Sequence, residues 1–298
     1  MGRRRNFNTK NLESMRIGVT GASGFIGTHL LPALKKRGTV VTLQRQKGLP
    51  GKQDLKRFVA DTDLFFHLGG VNRGTNEEIL NGNIIATSRL LEAILNDGKS
   101  SARLVFASSA QVYSWKNCKA PICETRKAYP DTVYGISKQS AENLIKVSGI
   151  PFVSLRMSNA YGPGCRPNYN SVVATLCSRA MQGLPLVING DGQQCRDFVY
   201  IDDVVRAFLL AGFKSVAGSG GIFNVSSGRM VSLKKIVKQI GSLHKKNEVE
   251  FLTDKKNPEV SYCCDSSKFS SKYGWRPRVS LSKGIEQTLS YFCGRKIK

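Results

Sequence analysis

The sequence predicts a doubly wound α/β fold, a parallel sheet covered by helices on both faces. Three observations carry this. Short apolar runs alternate with helical stretches along the first half of the chain, a glycine-rich turn follows the first run, and the 298 residues are 41% hydrophobic. Strands that alternate with helices demand crossover connections, and crossovers make a parallel sheet. That length suffices for one large domain or two lobes sharing a core.

The elements follow in order. Ile17 to Thr20 reads as a strand, then Gly21, Gly24 and Gly27, then a helix through Leu30, Leu31 and Leu34 to Arg37-Gly38. Thr39 to Leu43 and Leu64 to Leu68 are the next strands, and Ile84 to Leu95 is a helix. Leu104 to Ala107 and Phe152 to Leu155 complete the first set, on either side of a helix over 132–147. After Asn159 the run Tyr161-Gly162-Pro163-Gly164-Cys165-Arg166-Pro167 is rich in turn residues. Two later blocks, Asp197 to Ala211 and Ile222 to Val225, look like returns to the sheet. The expected division is a basic extension over 1–14, read as disordered or as an upstream start, and a cofactor-binding domain over 15–159 with 197–228 returning. A smaller, interleaved substrate lobe takes 160–196 and 229–298.

Composition narrows the function classes. No run approaches about 18 uninterrupted apolar residues, so no membrane span is expected. Residues 1–14 carry Arg3, Arg4, Arg5 and Lys10 without an apolar stretch, unlike a secretory signal. The eight cysteines include no Cys-x-x-Cys pair, and with His29, His67 and His244 the only histidines a metal site is not expected. Reduced thiols and a cytoplasmic location are the expectation. The net charge of +24 raises a nucleic-acid partner. Its scattered Lys and Arg, with no aromatic-interleaved basic stripe, suit small anionic ligands better.

The glycine turn Gly21-Ala-Ser23-Gly24-Phe25-Ile26-Gly27 lies between a strand and a helix, the context that gives such a motif meaning. The first glycine permits the tight turn, the second lets backbone approach a pyrophosphate, and the third lets the helix pack on the sheet. The pyrophosphate then faces the positive helix N-terminus. At the end of the second strand, Gln44-Arg45 stands where an acid would bond a ribose diol. A neutral residue and a cation there favour NADP over NAD, unless Arg45 is one more exposed cation in a basic chain.

Tyr134 and Lys138 are four residues apart, one helical turn, and Ser109 lies twenty-five residues upstream. A phenol with a pKa near ~10 is a poor base at neutral pH, and a neighbouring ammonium favours the phenolate. Lys138 can also bond the cofactor ribose, while Ser109 at a strand end holds a substrate oxygen. The set suits proton movement on a sugar hydroxyl coupled to hydride transfer.

The chain resembles an extended short-chain dehydrogenase/reductase of the nucleotide-sugar epimerase/dehydratase group over residues 15–298. The residues that carry the likeness are Gly21-x-x-Gly24-x-x-Gly27, Phe66-His67-Leu68-Gly69-Gly70, Asn83, Ser108-Ser109-Ala110-Gln111-Val112-Tyr113 and Tyr134-Gly-Ile-Ser-Lys138. Arg156 to Pro163 and Gly190 to Val204 extend it. The resemblance implies a Rossmann-type domain with Ser109, Tyr134 and Lys138 catalytic. It puts Gly21, Ser23, Gly24, Phe25, Ile26, Gly27, Gln44, Arg45, Leu68, Gly69, Asn83, Ser108, Tyr134 and Lys138 at the cofactor. Ser109, Gln111, Asn159 and Arg196 are expected at the nucleotide-sugar substrate, with Arg196 gripping the diphosphate. Asp202-Asp203 is expected to cap a helix. A homodimer through the helices over 84–95 and 132–147 is also implied.

Two departures bear on the reaction. Ala110 and Gln111 replace the acids that dehydratases and decarboxylases of the group carry, which disfavours both activities. Asp254-Lys255-Lys256-Asn257-Pro258-Glu259 replaces the group's Arg-x-x-Gly-Asp element near the nucleotide. A 4-epimerase and an NADPH-dependent 4-keto reductase remain, the first ahead. A catalytically idle nucleic-acid-binding relative is the third reading.

Overall fold

The computed structural model describes residues 15–43, 49–115, 121–169, 171–214, 220–244, 247–252 and 261–293. The extension over 1–14, the Gln44-Arg45 pair and the 254–259 element lie outside them. The strands are β1 (Arg16–Thr20), β2 (Thr39–Thr42), β3 (Leu64–His67), β4 (Arg103–Ser109), β5 (Phe152–Met157), β6 (Asn159–Tyr161), β7 (Leu186–Asn189), β8 (Cys195–Arg196), β9 (Phe198–Tyr200), β10 (Gly221–Val225), β11 (Val231–Ser232) and β12 (Val249–Leu252). The helices are α1 (Phe25–Lys35), α2 (Lys52–Val59), α3 (Asn76–Leu80), α4 (Ala86–Asp97), α5 (Val133–Val147), α6 (Val172–Met181), α7 (Ile201–Phe213), α8 (Leu233–Leu243), α9 (Ser267–Tyr273) and α10 (Leu281–Cys293).

Six strands form the central sheet in the order β10-β5-β4-β3-β1-β2, the doubly wound arrangement expected. β1 pairs in parallel with β2 on one side and β3 on the other, so the winding direction reverses at β1. Ligands of such sheets bind beyond the carboxyl ends of the strands at this reversal. There Thr20 faces His67 in register, and the glycine turn and the Leu68-Gly69 segment follow directly.

The chain divides into two compact units of nearly equal length, and each takes three segments. The first unit holds residues 1–108, 132–155 and 208–222. β3 explains why its sheet is buried on both faces. Phe65 joins Leu55, Phe58, Leu90, Ile94, Leu104 and Ile145 on one side. Phe66 points the other way, 6.4 Å from the ring of Phe208 and 6.1 Å from that of Phe213. Full burial of one such ring stabilises by about 1.5–3 kcal/mol.

The second unit holds 109–131, 156–207 and 223–298. Its sheets are two-stranded: β6 with β9 and β7 with β12 run parallel, and β8 with β11 antiparallel. The two late blocks expected in the central sheet therefore part company, since β10 is its edge strand whereas β9 pairs with β6.

Helix boundaries have local causes. Thr132 caps α5, its hydroxyl accepting from the Gly135 N–H at 3.0 Å. The expected helix over 84–95 starts earlier, because Thr75 and Glu78 form a reciprocal capping box at α3. Between α3 and α4 the backbone widens into a π-helical turn over Asn81–Ile85. Asp202 and Asp203 sit in the first turn of α7, where their charge suits the dipole, but neither is a simple cap. Asp203 accepts from the Arg278 and Val279 N–H groups and from Arg206, tying the segment before α10 to α7.

Candidate active site

In the first unit, the glycine turn is shaped by contacts that exclude any side chain. Gly21 has φ +70°, and a Cβ there would lie 2.6 Å from the Gly69 nitrogen and 2.7 Å from the Leu68 carbonyl carbon. A Cβ on Gly27 would collide with the carbonyls of Gly21 and Ala22. Gly24 differs: its Cβ would meet only the Gly21 carbonyl oxygen, at 3.1 Å, which leaves this face of the backbone open to a ligand. Gly24 also begins α1, which has no side-chain cap and no acidic residue in its first turn. That positive, uncapped end suits a pyrophosphate. Ser108 Oγ is buried and, among the described residues, lacks a hydrogen-bond partner. Cradle, helix end and orphan hydroxyl together fit a dinucleotide.

α5 carries Tyr134 and Lys138 on one face. Lys138 is almost wholly buried, donates to the Ala107 carbonyl at 2.9 Å, and lies 4.8 Å from the centre of the Phe106 ring. Its Nζ is 5.9 Å from the centre of the Tyr134 ring. Burial lowers the ammonium pKa to about 8, opposed by the carboxylate of Glu142 one turn further on. Ser154 donates to Glu142 at 2.9 Å and holds that carboxylate in place. Activity that needs the Lys138 charge is therefore expected to fall as pH rises through about 8. A kcat profile still flat at pH 10 would remove Lys138's charge from the mechanism.

Asn83, expected at the cofactor, is held by its amide to protein partners. Its Oδ1 accepts from the Val71 N–H, and its Nδ2 donates to the Val71 carbonyl and to Ser137 Oγ. Gly70 packs between Asn83 and Lys138, since a Cβ there would lie 2.6 Å from Asn83 Oδ1 and 3.1 Å from Lys138 Nζ.

His67 is a further buried group that the sequence shows without assigning a role. Burial first, and the nearby Lys138 charge second, lower its pKa from 6.5 to about 3. The unfolded chain takes up a proton below 6.5 that the folded chain refuses until about 3, so stability is lost as pH falls through this window. The loss is about 2 kcal/mol by pH 5. Urea midpoints of the wild type and His67→Gln, compared at pH 7 and 5, measure it as the difference between the two pH responses.

Ser109, Gln111, Asn159 and Arg196 belong to the second unit. The Ser109 hydroxyl accepts from the Gln111 N–H at 3.1 Å, opening a 3₁₀ turn over Ala110–Val112. Asn159 and Arg196 converge on Tyr262, a residue that no sequence signal singled out. Asn159 Nδ2 donates to the Tyr262 hydroxyl at 2.8 Å, and the Arg196 guanidinium lies 5.7 Å from the ring centre. Trp115 stacks on that ring at 4.0 Å and 12°. Beneath them Asp197 is fully buried and accepts from Ser158, from the N–H and hydroxyl of Ser227, and from the Gly228 and Cys264 N–H groups. Burial pushes its carboxyl upward while these donors hold it down. Asp197 is thus a tie between loops.

Comparison with known proteins shows the family. Residues 17–226 match the model of the NAD dependent epimerase/dehydratase family. A UDP-2-acetamido-2,6-beta-L-arabino-hexul-4-ose reductase of Pseudomonas aeruginosa is 37% identical over 65% of the chain, and the match spans 49% of that relative's length. An uncharacterized UDP-glucose epimerase of Bacillus subtilis, YtcB, is 32% identical, with 93% of the chain and 98% of the relative covered. Among solved structures, the Thermotoga maritima UDP-glucose 4-epimerase with UDP-glucose superposes at a TM-score of 0.84 and 28% identity, covering 93% of this chain and 98% of that one. The Bacillus cereus UDP-glucuronic acid 4-epimerase, in complex with UDP-glucuronic acid and NAD, gives the same score and identity over 93% and 99%. The chain is an enzyme of the NAD-dependent epimerase/dehydratase family.

Proposed function

We propose that this enzyme is a nucleotide-sugar 4-epimerase that acts by transient oxidation at C4 of a nucleoside-diphosphate hexose. The observation that carries the reading is the buried Lys138 ammonium held beside Tyr134 on α5. Gly21, Gly24, Gly27 and the N-terminus of α1 would hold the dinucleotide, with Lys138 at its ribose and Ser108 nearby. When bound, NAD(P) supplies the hydride acceptor and donor. Tyr134 takes the proton of the C4 hydroxyl and returns it, Lys138 favours the phenolate, and Ser109 holds the substrate oxygen. Arg196 and Asn159 take the diphosphate, steadied by Tyr262.

Ala110 and Gln111 support epimerisation over dehydration or decarboxylation, because neither can act as an acid or base. A second reading, an NADPH-dependent 4-keto sugar reductase, is favoured by the 37% identical reductase and by Gln44-Arg45, if that pair selects NADP. A panel of UDP- and dTDP-sugars separates the two. Interconversion of unreduced 4-epimers without net cofactor consumption is expected, and stoichiometric NADPH oxidation by 4-keto sugars alone would overturn the epimerase reading.

A homodimer through α4 and α5 completes the proposal, supported by Leu95, Ile136 and Val147, which are 59%, 46% and 79% exposed on these helices.

A further inference from the structure

A run of hydrogen bonds crosses the first unit from the glycine-turn side to the Tyr134 helix, and the direction of every bond can be assigned. Thr87 Oγ1 donates to the Asn83 carbonyl at 2.5 Å, which uses its only proton. It must therefore accept in its 2.9 Å contact with His67 Nε2, so Nε2 carries the imidazole proton. Nδ1 is then bare, and Thr20 Oγ1 donates to it at 2.6 Å. Having spent its proton, the Thr20 oxygen accepts from the Gly69 N–H at 3.1 Å. Beyond Asn83 the same logic holds. Ser137 Oγ donates to the Tyr134 carbonyl at 2.8 Å and so accepts from Asn83 Nδ2 at 2.9 Å.

We propose that His67 is a positioning residue: fixed as the neutral tautomer with its proton on Nε2, it holds the Gly69 end of the dinucleotide site in register with the turn and helix that carry Asn83 and Tyr134. The reason for a histidine here is geometric. The ring must accept on one side and donate on the other across a buried gap, and neutral imidazole does both with one rigid group. An imidazolium would turn Nδ1 into a second donor aimed at the Thr20 hydroxyl and break the run. It would also add a positive charge near Lys138, the charged group that faces it; the tilted Phe106 ring, 5.4 Å away, is neutral. The π-helical turn has a role in the same scheme. It contains Asn83, whose side chain reaches Val71 and Ser137 while its carbonyl receives Thr87.

The inference concerns the dinucleotide site and rests on that part of the proposed reading, not on the choice between epimerase and reductase. Long-range ¹H–¹⁵N NMR of the ligand-free protein reads the tautomers of its three histidines. His67, assigned by its absence in His67→Gln, is expected as the Nε2–H form with no titration between pH 5 and 8. An Nδ1–H form, or a midpoint near 6.5, would overturn the assignment. Thr87→Val removes the acceptor for Nε2–H and is expected to move the proton to Nδ1 and weaken NAD and NADP binding about tenfold by titration calorimetry, the loss of about one hydrogen bond. Thr87→Ser, which keeps the hydroxyl, is expected to restore both. Dinucleotide affinity unchanged in a folded Thr87→Val protein whose tautomer has switched would refute the positioning role while leaving the catalytic reading intact.

Discussion

Replacing Tyr134 with phenylalanine is expected to lower kcat on the order of 10³-fold while dinucleotide affinity stays within a few-fold of the wild type. The ring stays on α5, half-buried and 5.9 Å from Lys138, so packing is largely unchanged. What disappears is the hydroxyl that we propose moves a proton at the sugar, and positioned acid–base groups typically contribute 10²–10⁴-fold. Lys138 does not substitute for it, because its ammonium is directed to the Ala107 carbonyl. Steady-state kinetics with the best substrate of the panel, beside NAD and NADP titrations, checks both halves. A loss below tenfold would remove Tyr134 from the proton step.

The second large effect is expected at the glycine turn, and it separates shape from binding. Gly21→Ala forces an L residue to φ +70° and drives a methyl into the Gly69 nitrogen and the Leu68 carbonyl carbon. The left-handed backbone costs about 1–2 kcal/mol. The overlap is with backbone that cannot swing away, and adds about 1–3 kcal/mol. A loss of about 2–5 kcal/mol in stability should appear as a clear drop in melting temperature, together with lost dinucleotide binding. Gly24→Ala is the contrast. Its φ is −78°, and its methyl meets only one carbonyl oxygen, at 3.1 Å. Stability is expected to change by less than about 1 kcal/mol, whereas binding falls because the methyl stands where the ligand's phosphates would approach. Equal melting losses in the two variants would mean that Gly24, like Gly21, is there for the fold.

The features legible in the sequence are those set by near neighbours along the chain. The glycine turn declares itself by its place between strand and helix, and β3 by its uninterrupted apolar run. Tyr134 and Lys138 are joined by helical spacing alone. Tyr262 escaped notice because its partners Asn159, Arg196 and Trp115 are distant in sequence, and no periodicity links them. Asp203 was assigned to helix capping for the same reason, since its backbone partners lie 75 and 76 residues on. The Thr75–Glu78 capping box was readable and would have placed the helix start correctly. The π-helical turn was not, because a widened turn leaves no mark in composition. Asn83 shows what a resemblance leaves out: it points to the residue, and not to the three bonds by which its amide holds Val71 and Ser137.

The interleaving of the two units sets an order of events during synthesis. The first unit draws its last segment from residues 208–222, which include Phe208 and Phe213 packed on Phe66. The Phe66 side of its sheet lacks the cover of these two rings until that segment has left the ribosome. At about 5–20 residues per second, this is roughly 10–40 s after β1 has been made. Through that interval the exposed Phe66 region and unpaired strands are available to chaperones and to neighbouring nascent chains.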